Sequence, residues 1–349
     1  MRIVVVGATG NVGTSVLEAL GRDDAVASIL GLARRRATAS YAKTEFAAAD
    51  VTRDDLVPHF RGADCVIHLA WLIQPSRDQA TLWETNVEGS SRVLAAVAAA
   101  GVPALVAASS IGVYSPHSNV RGPKQRVDES WPREGIPTSW YSRQKAELER
   151  RLDRFEAEHD VRTVRLRPGL IMKRESAEQV RRLFAGPFFP NPVARPGRLP
   201  FVPHVPGAVA QLVHSLDVGE AYRLAATRDV RGAFNVAAEP EVDGKRVARA
   251  IGARSLTIAP RLARSLAAAT WHARLHPTSP DWLDLALGAP LLDCTRAREE
   301  LGWAPTRDGI ETIRELLVGL ADGAGGPTPP LRRGGRLAEI AAGVGGKSV

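Results

Sequence analysis

Arg2-Ile3-Val4-Val5-Val6-Gly7-Ala8-Thr9-Gly10-Asn11-Val12-Gly13 decides how this chain is read. The run from Arg2 to Val6 is continuous and β-branched, as in a strand buried on both faces of a parallel sheet. It stops at a Gly-x-x-Gly-x-x-Gly turn, after which Val12, Val16 and Leu20 repeat at helical spacing. Glycines at such a junction permit a tight turn, let backbone approach a pyrophosphate, and let helix pack closely on strand. The helix N-terminus adds free N–H groups and a partial positive charge. The spacing alone would mark only a turn. A strand, this loop and a helix in that order predict a dinucleotide site built on Gly7, Thr9, Gly10, Asn11, Val12 and Gly13.

Working outward, strand and helix patterns alternate. A second strand, Ala27 to Ala33, ends where an acidic residue would bond the adenosine ribose of NAD; here Ala33 is followed by Arg34-Arg35-Arg36. Guanidiniums match phosphate bidentately, so Arg34 and Arg35 favour NADP over NAD, against the alternative of a solvated basic turn. A third strand, Thr44 to Ala48, leads to Asp50-Val51 and a short helix capped near Thr52. Asp50 is placed either to accept from the adenine amino group or to cap that helix. The strand Asp64 to Ala70 ends in His68-Leu69-Ala70-Trp71, and Leu69, Ala70 and Trp71 should lie against the cofactor. A long helix from Asp78 to Ala100 carries Asn86. A fifth strand, Ala104 to Ser109, delivers Ser109-Ser110-Ile111-Gly112-Val113-Tyr114 to the same edge. The alternation predicts an α/β fold, a Rossmann-type doubly wound parallel sheet.

Further on, Tyr141, Lys145, Leu148, Leu152 and Phe155 share one helical face. A lysine is rarely placed on a buried face unless its charge is needed there. A phenol one turn away would find its phenolate stabilised and its pKa pulled down, giving an acid/base without histidine. The alternative is a helix edge where both side chains reach water.

Composition bounds the remaining choices. The 349 residues are 44% hydrophobic and 24% charged, as in a soluble α/β protein. Cys65 and Cys294 offer no disulfide framework, and a strand pattern follows Met1 almost at once, so a cytoplasmic protein without signal peptide is expected. The net charge of +8 comes from arginines spread along the whole chain, which argues against nucleic acid as a partner. The most apolar stretch, Val93 to Ala108, is broken by Gly101 and Pro103, so no membrane association is expected.

The glycine loop, Asp50-Val51, His68-Leu69-Ala70, Asn86-Val87, Ser109-Ser110 with Val113-Tyr114, Tyr141 to Lys145, and Leu166-Arg167-Pro168 occur in an order that resembles the extended short-chain dehydrogenase/reductases. That group includes the NAD-dependent epimerase/dehydratases. Later segments are similar as well: Val213 to Val218, Gly232 to Val236, and Glu300 to Pro305. The resemblance implies Tyr141 as catalytic acid/base, Lys145 on the nicotinamide ribose, and Ser110 on the substrate oxygen. It also puts Asn86 and Pro168 among the cofactor-binding residues, and a homodimer through the helices bearing Asn86 and Tyr141.

The pattern departs where sugar-nucleotide members hold their ligand. Leu170 stands where they carry Asn, Ala210 where they carry a diphosphate-binding Arg, and Ser115 replaces a glycine after Val113-Tyr114. Arg195, Arg198 or Arg231 could substitute from nearby loops.

The segments left to shape a pocket are Leu72 to Arg77, Ser115 to Pro137 and Ile171 to Pro206, the last with Phe184, Phe188, Phe189 and Phe201. They suggest a partly apolar small-molecule substrate, unless these rings only pack the lobe. Arg261 to Leu275 reads as an amphipathic lobe helix packed on the pocket. The expected organisation is a nucleotide-binding domain over residues 1–168 with parts of 207–237, and a smaller discontinuous substrate lobe over 169–206 and 238–320. The tail, 321–349, should be loosely held or lie along the surface, with one short helix, Arg336 to Ala342. The expected activity is hydride transfer between NADP or NAD and a secondary alcohol or ketone. An epimerase or dehydratase, or a non-catalytic dinucleotide sensor, are the alternatives.

Overall fold

The structure, a computed structural model, describes residues 1–74, 76–117, 122–341 and 343–346. Seven strands form its main sheet: β1 Arg2–Val6, β2 Ser28–Ala33, β3 Thr44–Ala48, β4 Cys65–His68, β5 Ala104–Ala108, β6 Arg162–Pro168 and β7 Gly232–Val236. They lie in the order β7-β6-β5-β4-β1-β2-β3, with every neighbouring pair parallel. The chain runs outward from β1 to β3, then returns to β4 on the other side. The crevice for a ligand therefore opens at the carboxyl ends of β1 and β4.

The β-branched run in β1 has the expected consequence. Ile3 and Val5 join the core under one helical layer, with Val16, Leu20 and Tyr222. Val4 and Val6 join the opposite layer, with Phe60, Val97 and Leu152. Burial of each such aliphatic side chain contributes about 1.5–3 kcal/mol, so alternation along one strand fastens both layers to the sheet. On the first face, helices Asn11–Gly21 and Ser215–Thr227 approach so closely that a Cβ on Gly219 would sit 2.5 Å from the Ser15 carbonyl oxygen. Only glycine fits there.

The helix Trp140–Glu158 buries Lys145, Leu148, Leu152 and Phe155. The three apolar residues pack with Val97 and Leu105, so they belong to the core of their own subunit and are not free for a partner. The outward face of this helix carries Glu147 and Arg151, and Arg151 pairs with Glu88.

Other expectations need correction. The span Asp78 to Ala100 is not one α-helix: Gln79–Trp83 and Gly89–Ala99 flank a π-helical turn, Glu84–Glu88, that contains Asn86. No helix starts at Thr52, because Asp50 Oδ1 accepts from both the Thr52 N–H (3.0 Å) and its hydroxyl (2.8 Å), closing a local turn that competes with helix. The next helix is Val57–Phe60. The helix Pro260–His272 leaves Leu262 and Leu266 about half exposed, so its apolar side does not cover a pocket. The lobe contains short parallel pairs, Leu170–Met172 with Leu212–His214 and Phe201–His204 with Arg254–Thr257. Among the described residues no helix is long and apolar enough to cross a membrane.

The tail departs most from its reading. Thr328 is fully buried and donates to the Thr9 carbonyl (2.7 Å), so the chain returns to the glycine loop after helix Gly309–Ala321. The helix beyond it runs Arg336–Ala341; Ala342 lies outside the described residues. Glu339 of this helix pairs with the buried Arg181, which fixes the tail to the lobe.

Candidate functional site

The glycine loop is shaped as its sequence requires. Gly7 has φ +88°, and a Cβ there would lie 2.7 Å from the Ala70 nitrogen. A Cβ on Gly13 would lie 2.4 Å from the Gly7 carbonyl oxygen, whereas one on Gly10 would meet nothing nearer than 3.6 Å. Gly7 and Gly13 thus let β1, its helix and the end of β4 converge, and Gly10 leaves its face open.

A cavity of about 240 Å³ lies over this loop. Its walls include Gly7, Thr9 and Gly10, Arg34 and Arg35 after β2, Val51, and Leu69, Ala70 and Trp71 after β4. Among the described residues the Trp71 indole N–H and the Asn11 carboxamide oxygen are buried without a hydrogen-bond partner. An open glycine cradle at a helix N-terminus, guanidiniums beyond β2 and two unsatisfied polar atoms fit a dinucleotide. Gln179, Arg182, Leu183, Pro329 and Pro330 also line the cavity. Sequence reasoning missed these, because nothing local in a lobe helix or a proline-rich tail signals a return to the first loop.

Other expected cofactor residues are placed differently. Asn86 is fully buried, and its carboxamide is occupied: Oδ1 accepts from Leu72 N (2.6 Å), while Nδ2 donates to Leu72 O and to Gln144 Oε1 (both 2.8 Å). It acts on the cleft by holding the backbone after Trp71. Asp50 spends Oδ1 on Thr52. Val12 packs against the core below the loop, and Pro168 is buried at the end of β6.

The residues singled out for chemistry do meet. Ser110 leads a short turn, its hydroxyl accepting from Gly112 N at 3.0 Å and lying beside the Tyr141 phenol. Gly112 keeps room for that ring: a Cβ there would touch Tyr141 Cε1 at 3.1 Å. Ser142, fully buried, donates to the Gly112 carbonyl and accepts from Ile136 N at 2.6 Å. It ties the first turn of the Tyr141 helix to the Ser110 turn. Ser139 caps that helix, accepting from Ser142 N at 3.4 Å.

Aromatic rings surround the phenol. Trp282 lies 5.1 Å from Tyr141 between centroids, Trp140 6.0 Å and Trp71 6.1 Å, and Phe184 packs edge-on against Trp282. Of the four lobe phenylalanines, Phe184 reaches this site; Phe188 and Phe201 are more than half exposed, and Phe189 packs elsewhere in the lobe. Desolvation raises the Tyr141 pKa above its usual 10, with the Ser110 hydroxyl pulling the other way. This reverses the expected lowering by Lys145. The lysine ammonium instead donates to the Ala108 carbonyl at 2.7 Å and lies 3.5 Å above the Trp71 ring. Burial lowers the Lys145 pKa to about 7, opposed by the charge of Glu149.

Beneath lies a network the sequence did not reveal. Glu149 is 1% exposed and accepts from Ser109 Oγ (2.5 Å), Arg167 (2.8 and 2.6 Å) and Arg133 (2.9 Å). Arg167 continues to the Tyr114 hydroxyl (3.0 Å), which donates to Asn235 Oδ1 (2.6 Å). Burial acts to raise the Glu149 pKa, but the arginines and Ser109 bring it down to about 2.

The candidate substitutes for a diphosphate grip do not gather here. Ala210 bonds backbone to backbone with Val242. Its neighbour Lys124 spends its ammonium on the carbonyls of Val209 (2.9 Å) and Ala286 (2.6 Å). Arg195 pairs with Asp322, and Arg231 lies near Asp160.

Comparison with known proteins agrees with this fold. The chain is 27% identical over 324 residues to an uncharacterized protein of Mycobacterium tuberculosis, covering 91% of this chain. It spans about 30% of the length of that relative and of its Mycobacterium bovis counterpart. It is 35% identical over 114 residues to L-arabinose 1-dehydrogenase (NAD(P)(+)) of Haloferax volcanii, 32% of this chain and 42% of that one. Among solved structures, UDP-glucose 4-epimerase of Thermus thermophilus in complex with NAD superposes with TM-score 0.64 at 22% identity, covering 92% and 99% of the two chains. MoeE5 in complex with UDP-glucuronic acid and NAD gives 0.64 at 20% identity over 91% and 98%. Residues 3–237 match the family model, and the chain belongs to the NAD dependent epimerase/dehydratase family.

Proposed function

We propose that the chain is an NAD(P)-dependent enzyme that moves a hydride at a secondary alcohol or ketone carbon, with Tyr141 as acid/base. The observation that carries this reading is the meeting of Tyr141, Ser110 and Lys145 at one sheet edge, beside the glycine loop. The nicotinamide cofactor supplies or accepts the hydride. The Gly7–Gly13 backbone would hold the pyrophosphate and Lys145 the nicotinamide ribose. In the reductive direction the carbonyl carbon gains the hydride, and its oxygen takes the Tyr141 proton while Ser110 holds that oxygen. In oxidation the same proton returns to Tyr141.

The surroundings favour a partly apolar, uncharged substrate. Trp140, Trp282 and Phe184 wall the phenol, and Ala210 and Lys124 have nothing to offer a diphosphate. Arg34 and Arg35 in the cavity wall, with no acid at Ala33, support NADP. The Haloferax relative, by its name, uses either cofactor. The second reading is an epimerase, supported by the family and by the UDP-sugar complexes among the structural neighbours. A panel of ketones with NADPH or NADH separates the two. Net loss of the 340 nm absorbance of the cofactor is expected under the first reading. Interconversion of UDP-sugars with no net cofactor consumption would replace it with the second. Binding of the dinucleotide with neither activity would leave a sensor.

A further inference from the structure

The tail lies across the cofactor cavity, and its charges are the clue to why. Gly326 and Leu331 close a turn (Gly326 N to Leu331 O, 2.8 Å) that presents Pro329 and Pro330 to the cavity wall beside Gly10 and Arg35. Arg182, from the lobe, donates to Pro330 O (2.6 Å) and Arg332 O (2.8 Å). Beyond it Glu339 pairs with Arg181, and Arg336 donates to Asn191 Oδ1 (2.6 Å). The tail is therefore fastened on both sides of the crossing.

A second cavity, of about 280 Å³, opens under this crossing and shares Arg35, Gln74, Arg182 and Pro329 with the first. Its lining adds Arg332 and Arg333 from the tail. Among the described residues none of these four arginines has a carboxylate within 4.0 Å, whereas the one acid in the lining, Glu339, is paired with Arg181. Four guanidiniums around one small space repel one another; the carbonyls that receive Arg182 and the Arg332 Nε leave their charge unbalanced, and such a cluster attracts an oxyanion. The cavity borders the carboxyl end of β2, where the 2′-position of an adenosine ribose lies in folds of this kind.

We propose that the segment Gly326–Ala341 is a clasp over the adenosine half of the cofactor. The 2′-phosphate of NADP is held between Arg35 and Arg182 of the body and Arg332 and Arg333 of the tail. This rests on the dinucleotide reading above and adds a specificity element outside the glycine loop. The tail then contributes selectivity for the phosphomonoester, and the loop contributes affinity common to both dinucleotides.

The test is calorimetric titration of the full chain with 2′,5′-ADP, 5′-AMP, NADH and UDP, comparing the wild type with the Arg332→Ala/Arg333→Ala double variant. Both side chains are exposed, so folding should be unaffected. Loss of charge-assisted bonds to a phosphate should weaken 2′,5′-ADP roughly ten-fold or more. Binding of 5′-AMP and NADH should stay the same, and the Arg332→Lys/Arg333→Lys double variant should recover part of the loss. An unchanged ratio of 2′,5′-ADP to 5′-AMP affinity, with NADH still bound, would overturn the clasp and leave the dinucleotide reading standing. A parallel loss for UDP would assign the arginines to the substrate and also overturn it. Failure of the wild type to bind any of the adenine probes would remove both readings.

Discussion

Glu149→Gln is the perturbation whose magnitude the structure sets most directly. Glu149 lies one turn beyond Lys145, and its carboxylate receives Arg167 on both oxygens, Arg133 on one and Ser109 on the other. An amide of the same shape keeps one acceptor and turns the other into a donor facing a buried guanidinium. Removing one partner of a buried ion pair costs about 3–5 kcal/mol, since the remaining charge is left uncompensated. The same contacts act on the ionisation of this group. Its pKa falls from 4.5 to about 2, which corresponds to about 3 kcal/mol of stabilisation in the folded state. Because the folded pKa is the lower one, this stability is fully present above about 4.5 and is lost as pH falls towards 2.

Guanidinium denaturation of the wild type and Glu149→Gln should therefore differ by about 3 kcal/mol at pH 7. The gap should narrow across the window from 4.5 to 2, where the wild-type carboxyl protonates and resembles the amide. Other carboxylates titrate in the same range, but they are common to both proteins and cancel in the difference. Equal stabilities at pH 7, or a gap that persists undiminished at pH 2, would refute the assignment of Glu149 as the anion that compensates Arg167.

Three further outcomes follow from the site. Tyr141→Phe should keep the fold, since the ring stays among Trp71, Trp140 and Trp282, and should lower turnover roughly 10²–10⁴-fold in a steady-state assay. Lys145, with its pKa lowered to about 7, should lose its proton as pH rises through 7, so kcat/KM should fall on the alkaline side; Lys145→Met should be slow and lack that limb. Gly13→Ala drives a Cβ into the Gly7 carbonyl at 2.4 Å, and dinucleotide binding, read by protein fluorescence, should be abolished, whereas Gly10→Ala meets nothing nearer than 3.6 Å and should fold normally.

What the sequence disclosed follows from the range over which each signal acts. The β-branched run of β1, the glycine loop and the Tyr141–Lys145 turn are local patterns, each fixed by the spacing of a few residues, and they lead to the sheet edge observed. Asn86 was legible as a site residue but not as one whose carboxamide is spent on Leu72 and Gln144, because hydrogen-bond partners separated by 14 and 58 positions leave no local trace. Glu149 reads as an ordinary polar residue on a helix with several. Only the arrival of Arg167 and Arg133 from other segments makes it a buried anion. For the same reason the glycine and proline content of the tail leaves open whether it is loosely held or lies along the surface, yet Gly325 and Gly326 are needed because a Cβ on either would lie within 3.0 Å of Leu331.

The raised Tyr141 and lowered Lys145 pKa values bear on the direction of the proposed reaction. A lysine brought from 10.5 to about 7 by burial costs folding about 5 kcal/mol whenever it carries its charge. A fold gains nothing structural from that, since the Ala108 carbonyl and the Trp71 ring that receive the ammonium need no cation. The phenol beside it is shielded by three tryptophans and stays protonated at neutral pH. A protonated phenol is the form that can donate to the oxygen of a ketone. The same site can work as a base only if charge on Lys145 stabilises the phenolate, and reduction leaves that same phenolate behind, so both directions draw on the protonated lysine. The two directions should then share an alkaline loss above about 7, while oxidation, which releases a proton, gains on reduction as pH rises. This separates a working Tyr–Lys pair from two buried polar residues that happen to be neighbours.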